Sequence, residues 1–135
     1  MRVLAAVSRG RERLFAVLGA DHVVWADTIQ DVVSALDRGA FDMVIIGASF
    51  DDSRALEALR HAVTRADRSV LVCVRAARFE QLGEASFAAF VIACEETGAD
   101  CVLDLSAFPD DDAGNARARQ VLRRIVVPVM HTEKP

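Results

Sequence analysis

FDMVIIGASFDDS, from Phe41 to Ser53, decides how the rest of this chain is read. Met43-Val44-Ile45-Ile46 is an unbroken apolar run without alternation, the pattern of a strand buried on both faces. The run stops at Gly47 and gives way to small and acidic residues, with Ser53 placed to cap a following helix. This strand-loop-helix unit puts its loop at the carboxyl edge of a central parallel strand, where open α/β sheets bind ligands and carry chemistry.

Working outward toward the N-terminus, Ile29, Val32, Val33 and Leu36 recur at helical spacing between Asp27 or Thr28 and a C-terminal Gly39. His22 to Trp25 reads as a strand. Arg11 to Leu18 reads as a helix with Leu14, Phe15 and Leu18 inward, and Val3 to Val7 as a first strand ending at Ser8-Arg9-Gly10. Toward the C-terminus, a helix over Ser53 to Ala66 turns Leu56, Leu59 and Val63 to the core. Ser69 to Val74 is a strand closed by Arg75, and Phe79 to Thr97 a helix ended by Gly98. Asp100 to Leu103 is the last strand. Asp110-Asp111-Asp112 complements the dipole of a final helix whose Val121, Leu122 and Ile125 face inward. Pro128 is expected to end that helix, leaving residues 1–128 as one domain and 129–135 as a tail or linker start. Five β/α alternations with buried strands predict an α/β fold: a doubly wound, five-stranded parallel sheet of order 2-1-3-4-5, flavodoxin-like.

Composition narrows the function classes. The 135 residues suit one domain, and a 53% hydrophobic content fills a core without metal or disulfide staples. A net charge of −4 with no long run of one sign argues against nucleic acid as a partner, and no stretch reads as a membrane span. Cys73, Cys94 and Cys101 lack ligand spacing and read as reduced thiols of a cytoplasmic protein. His22, His61 and His131 show no metal-ligand spacing, and Ser8, Ser49 and Ser106 have no His grouped with them for nucleophilic catalysis. Neither cofactor nor enzymatic activity is expected.

FDMVIIG, SVLVCVRA and GADCVLDL resemble the third, fourth and fifth strand segments of response-regulator receiver domains, and the likeness spans nearly the whole chain. The resemblance implies a site built from an Asp that accepts a phosphoryl group, acidic residues that hold Mg²⁺, a hydroxyl and a Lys. Aligned on those stretches, the phosphoacceptor falls at Gly47, the acidic pair at Val7-Ser8, the hydroxyl at Arg75 and the Lys at Leu105. The aromatic switch position falls at Val102. None of these side chains can perform the family's role, so the expectation is a pseudo-receiver without the phosphoacceptor.

What remains at this edge has two readings. Asp51, Asp52 and Asp104 can collect around Arg75, or Asp52 and Ser53 can simply cap a helix. Arg9, Gly10 and Arg11 can receive an anion at the edge of the first and third strands, or form a solvated basic patch. The leading functional expectation is a phosphorylation-independent signalling module that binds a protein partner. The alternative is a sensor of a small anion or nucleotide, and residual phosphoryl acceptance at Asp51 or Asp52 comes third. The segment Ser86 to Cys94 is apolar almost all round, so Phe87, Phe90 and Ile92 are expected to form a homodimer face with the fifth strand, unless Arg78 to Gly83 covers it.

Overall fold

The computed structural model describes residues 1–19, 22–66, 68–75 and 84–132, with residues 84–85 and 126–132 as backbone alone. Strands β1 (Arg2–Ala6), β2 (His22–Ala26), β3 (Met43–Gly47), β4 (Val70–Arg75) and β5 (Cys101–Asp104) form one parallel sheet of order 2-1-3-4-5. The predicted topology is therefore the observed one. Helices α1 (Arg11–Leu18) and α5 (Asp112–Thr132) cover one face. Helices α2 (Ile29–Arg38), α3 (Ala55–Arg65) and α4 (Glu84–Thr97) cover the other.

β3 lies between β1 and β4, with Ile45 opposite Ala5 on one side and Val72 on the other. Met43 and Ile45 point into the core under α1 and α5, while Val44 and Ile46 point into the core under α2 and α3. All five of its residues are buried, which is why the strand reads as continuous apolar sequence. Among the described residues, no helix is long and apolar enough to cross a membrane.

Local signals account for some helix ends and fail at others. Thr28 accepts from the Asp31 N–H and the Asp31 side chain returns to the Thr28 N–H, a capping box that opens α2 as expected. Asp111 opens α5 by accepting from the Gly114 N–H at 2.7 Å. Gly39, however, is extended at φ −166 and is no left-handed cap. Its missing side chain instead makes room for Arg2, whose Nη1 would lie 3.1 Å from a Cβ there. Ser53 does not cap α3 either: it sits at φ +64 in a short turn, Phe50–Ser53, and α3 begins two residues later.

The inward face of α3 is Ala55, Ala58, Leu59 and Ala62, with Leu56 half-buried and Val63 39% exposed, so small residues rather than Val63 meet the sheet. Phe15 of α1 is exposed, and Val17 takes the buried place expected for it. The backbone of α5 continues helical through Pro128 to Thr132, past the expected stop. Proline removes one backbone N–H and crowds the carbonyl four residues earlier, a cost that a helix running through it must offset. Cys73 and Cys94 are buried free thiols, and Cys101 is half-buried. The Cys73 thiol, hydrogen-bonded to Cys94 and buried, is pushed well above the ordinary thiol range. The expected cover from Arg78 to Gly83, and the expected start of α4 at Phe79, lie outside the described residues.

Gly114 marks a close approach: a Cβ there would stand 1.9 Å from the Pro109 carbonyl oxygen. Ala in an open helix gains about 1 kcal/mol over Gly, but overpacking against backbone costs about 1–3 kcal/mol or more. Gly114→Ala is therefore expected to lower the urea midpoint, and a raised midpoint would show that α5 does not press on this carbonyl.

Candidate functional site

The carboxyl edge of the sheet gathers the ends of β1, β3, β4 and β5. Gly47 ends β3, buried and paired with Val74. A Cβ at Gly47 would lie 3.4 Å from the Cα of Val7, which is itself fully buried just after β1. Ser8 follows at the surface, and its hydroxyl accepts from the Asp51 backbone N–H at 3.2 Å. The Asp51 carboxylate accepts from the Ile29 N–H at the start of α2, at 3.0 Å, with Arg54 4.0 Å away.

Asp51, Asp52 and Ser53 all carry positive φ, at 45°, 57° and 64°. Successive left-handed residues cost roughly 1–2 kcal/mol each, less for Asp, whose short polar side chain bonds locally. Burial of Phe50, the Arg54 N–H to Phe50 carbonyl bond at 2.8 Å and the two Asp51 bonds offset that cost. Asp52 is exposed.

On the other side of Gly47, Arg75 and Asp104 stand directly opposite each other in the β4–β5 register. Their pairing is a two-point fork: Arg75 Nε donates to Asp104 Oδ1 at 3.0 Å and Nη2 to Oδ2 at 2.6 Å. Ser106 adds its N–H at 3.0 Å and its hydroxyl at 2.6 Å to the same carboxylate. The Arg75 guanidinium also lies 4.0 Å above the ring of Phe87 in α4. Leu105 is fully buried beneath this group, and Val102 is half-buried on β5. Asp104 thus joins Arg75 as expected, but Asp51 and Asp52 do not: Asp51 turns the other way, to Ser8 and α2. Burial pushes the Asp104 carboxyl up, and the bonds from Arg75 and Ser106 together with the Arg75 charge outweigh it, leaving the group below its ordinary range.

The arginines near Gly10 are arranged differently from a simple patch. Gly10 is left-handed at φ +76, just before α1. Arg11 donates to the Val7 carbonyl at 2.6 Å and the Ala26 carbonyl at 3.1 Å, pairs with Asp27, and lies over the Trp25 ring. Its charge is already answered inside the fold. Arg13 reaches across to Asn115 and to the carbonyls of Phe108 and Pro109, each at 2.9 Å. That contact joins residues about a hundred positions apart, and no local pattern announces it.

The sequence matches no family model and no curated protein. Solved structures match its fold over nearly its whole length. A CheY-like receiver domain protein from Methanospirillum hungatei superposes with a TM-score of 0.67 at 15% identity, covering 98% of this chain and 96% of that one. The chain has a receiver-like fold. NtrX from Brucella abortus matches with a TM-score of 0.73 at 14% identity over 98% of this chain, which spans only 28% of NtrX. A response regulator from Burkholderia pseudomallei, solved with a phosphorylated aspartic acid and a calcium ion, matches at 0.64 and 12% identity over 99% of this chain and 75% of that one.

The Mg²⁺ that receivers use requires a cage of hard oxygen donors. Among the described residues, Val7 and Gly47 lie together at this edge, and the nearby Asp51 carboxylate accepts from the Ile29 N–H. Among the described residues, no cluster of His, Cys, Asp or Glu could hold a metal ion. The described residues of this edge supply no such cage.

A carboxyl whose folded pKa is depressed stabilises the fold above its unfolded pKa, about 3.9, and loses that contribution as pH falls through the folded value. Asp104→Asn should therefore cost about 1–3 kcal/mol at neutral pH, and its deficit against wild type should shrink as pH falls below the unfolded carboxylate pKa of about 3.9. Chemical unfolding of both proteins across pH 2–7 reads this. A deficit independent of pH would show that the pair owes nothing to the carboxylate charge.

Proposed function

We propose that this domain is a receiver-like interaction module that works without phosphoryl transfer. The observation that carries the reading is the side-chain-free Gly47 at the end of β3, closed in by buried Val7. In-line transfer needs a carboxylate nucleophile and a cation to neutralise the oxygens of the moving group. Among the described residues of this edge, Gly47 and Val7 offer neither group, and Asp51 is bonded to α2 and held in a left-handed turn.

The internal cation gives the module a fixed state. Arg75, held by Asp104 and seated on Phe87, ties the edge of the sheet to α4. Partner choice then rests on the outer surface of α4 and the open edge of β5. Ile92 is 56% exposed, Phe87, Phe90 and Val91 are half-buried, and Cys101 and Val102 of β5 are half-buried beside them. An apolar surface of this kind fits a second copy of the chain or another protein.

Two measurements test the reading. Incubation with acetyl phosphate and Mg²⁺ is expected to leave the intact mass unchanged, and beryllofluoride to leave the amide spectrum unchanged; a phosphoryl group on Asp51 or Asp52 would overturn the proposal. In sedimentation equilibrium at tens of micromolar, the wild type is expected to dimerise and Ile92→Glu to remain monomeric with its helical circular dichroism intact, since a charge in an apolar interface costs on the order of several kcal/mol. A monomeric wild type removes the α4 interface, and two dimeric proteins move it to another face.

A further inference from the structure

A cleft of about 360 Å³ opens at the β2 edge of the sheet, between β1–β2 and the second half of α2. From α2 it is lined by Asp31, Ser34, Ala35 and Arg38. Half-buried Val24, Trp25 and Ala35 supply its accessible apolar lining above buried Leu4 and Phe41, and Arg2, Ser34 and Arg38 supply polar groups. The volume falls in the range of small-molecule sites, which combine an apolar wall with a few polar groups.

The rim has a definite charge. The Arg2 guanidinium lies 4.6 Å over the Phe41 ring and rests against the Gly39 backbone, where a side chain would crowd it. Asp42 accepts from the backbone N–H of Arg2 at 2.7 Å and forms no ion pair with its guanidinium. Arg38 likewise has no ion pair among the described residues. The one carboxylate lining the cleft, Asp31, is turned into the α2 capping box and accepts from the Asp27 and Thr28 N–H groups. Two guanidiniums and a hydroxyl therefore border an apolar slot, with no carboxylate paired to the guanidiniums among the described residues.

We propose that this cleft binds a small carboxylate with a flat or branched apolar body. The body lies on Val24, Trp25 and Ala35, and the carboxylate is taken by the planar forks of Arg2 and Arg38 with the Ser34 hydroxyl donating. The site is separate from the carboxyl edge of the sheet, and its occupant would bridge α2 to the edge strand.

The probe is 2-naphthoate, with 2-naphthalenemethanol as its uncharged counterpart and inorganic phosphate as a bare anion. Amide spectra of the labelled full chain should shift at Val24, Ser34, Ala35 and Arg38 with naphthoate, saturating at or below about 1 mM. The alcohol and phosphate should each bind at least about tenfold more weakly, and Arg2→Gln and Arg38→Gln should each weaken naphthoate by about tenfold. Both arginines lie at the surface; should either variant fail to fold, the comparison of naphthoate with the alcohol on the wild type still decides. Equal binding of the alcohol, shifts confined to the Arg9–Arg11 loop, or no shift at about 5 mM would each overturn the proposal.

Discussion

β3 must be buried on both faces at once, and the remaining architecture follows from that requirement. A strand with Met43 and Ile45 in one core and Val44 and Ile46 in the other needs a helix layer on each side. It also needs a hydrogen-bonded strand on each flank, supplied by β1 and β4. Backbone polarity and charge can then emerge only where the strands end. The carboxyl edge is the one place where Gly47, Ser8, Asp51, Arg75 and Asp104 come near one another.

Much of this was legible because it is local. The apolar run at Met43 to Ile46, the Thr28 cap with Asp31 three residues on, and the acidic start of α5 are each written in consecutive residues. The errors lie where distant residues decide. Gly39 looks like a left-handed helix terminator, yet its backbone is extended and the end of Arg2, far away in sequence, lies close against it. Val63 has the spacing of a core residue, but the alanines beside it let α3 approach more closely and turn Val63 outward against Gly98. Phe15 was expected inside by the same periodicity and is displaced by Val17.

The site was legible in composition more than in geometry. Reading Gly47 and Leu105 against the receiver pattern located the edge, and Arg75 with Asp104 could be paired because both end adjacent strands. The left-handed turn of Asp51 to Ser53 could not be anticipated, since aspartate and serine there also suit an ordinary cap. Nor could the engagement of Arg11 by Asp27 and two carbonyls, which turns an apparent basic patch into an internal brace.

The brace between α1 and α5 bears on the order in which the chain can become native. α1 has no capping side chain at its start, and its last carbonyls, Ala16 and Val17, accept from Arg119. Its buried face, Leu14, Val17 and Leu18, packs with Ala118 and Leu122 of the final helix. A helix of eight residues is too short to persist alone in water. α1 is thus completed by a helix about a hundred residues further along the chain. Until that helix docks, the partly made domain exposes the α1 side of its sheet, a long-range closure of the kind that slows folding and invites chaperones.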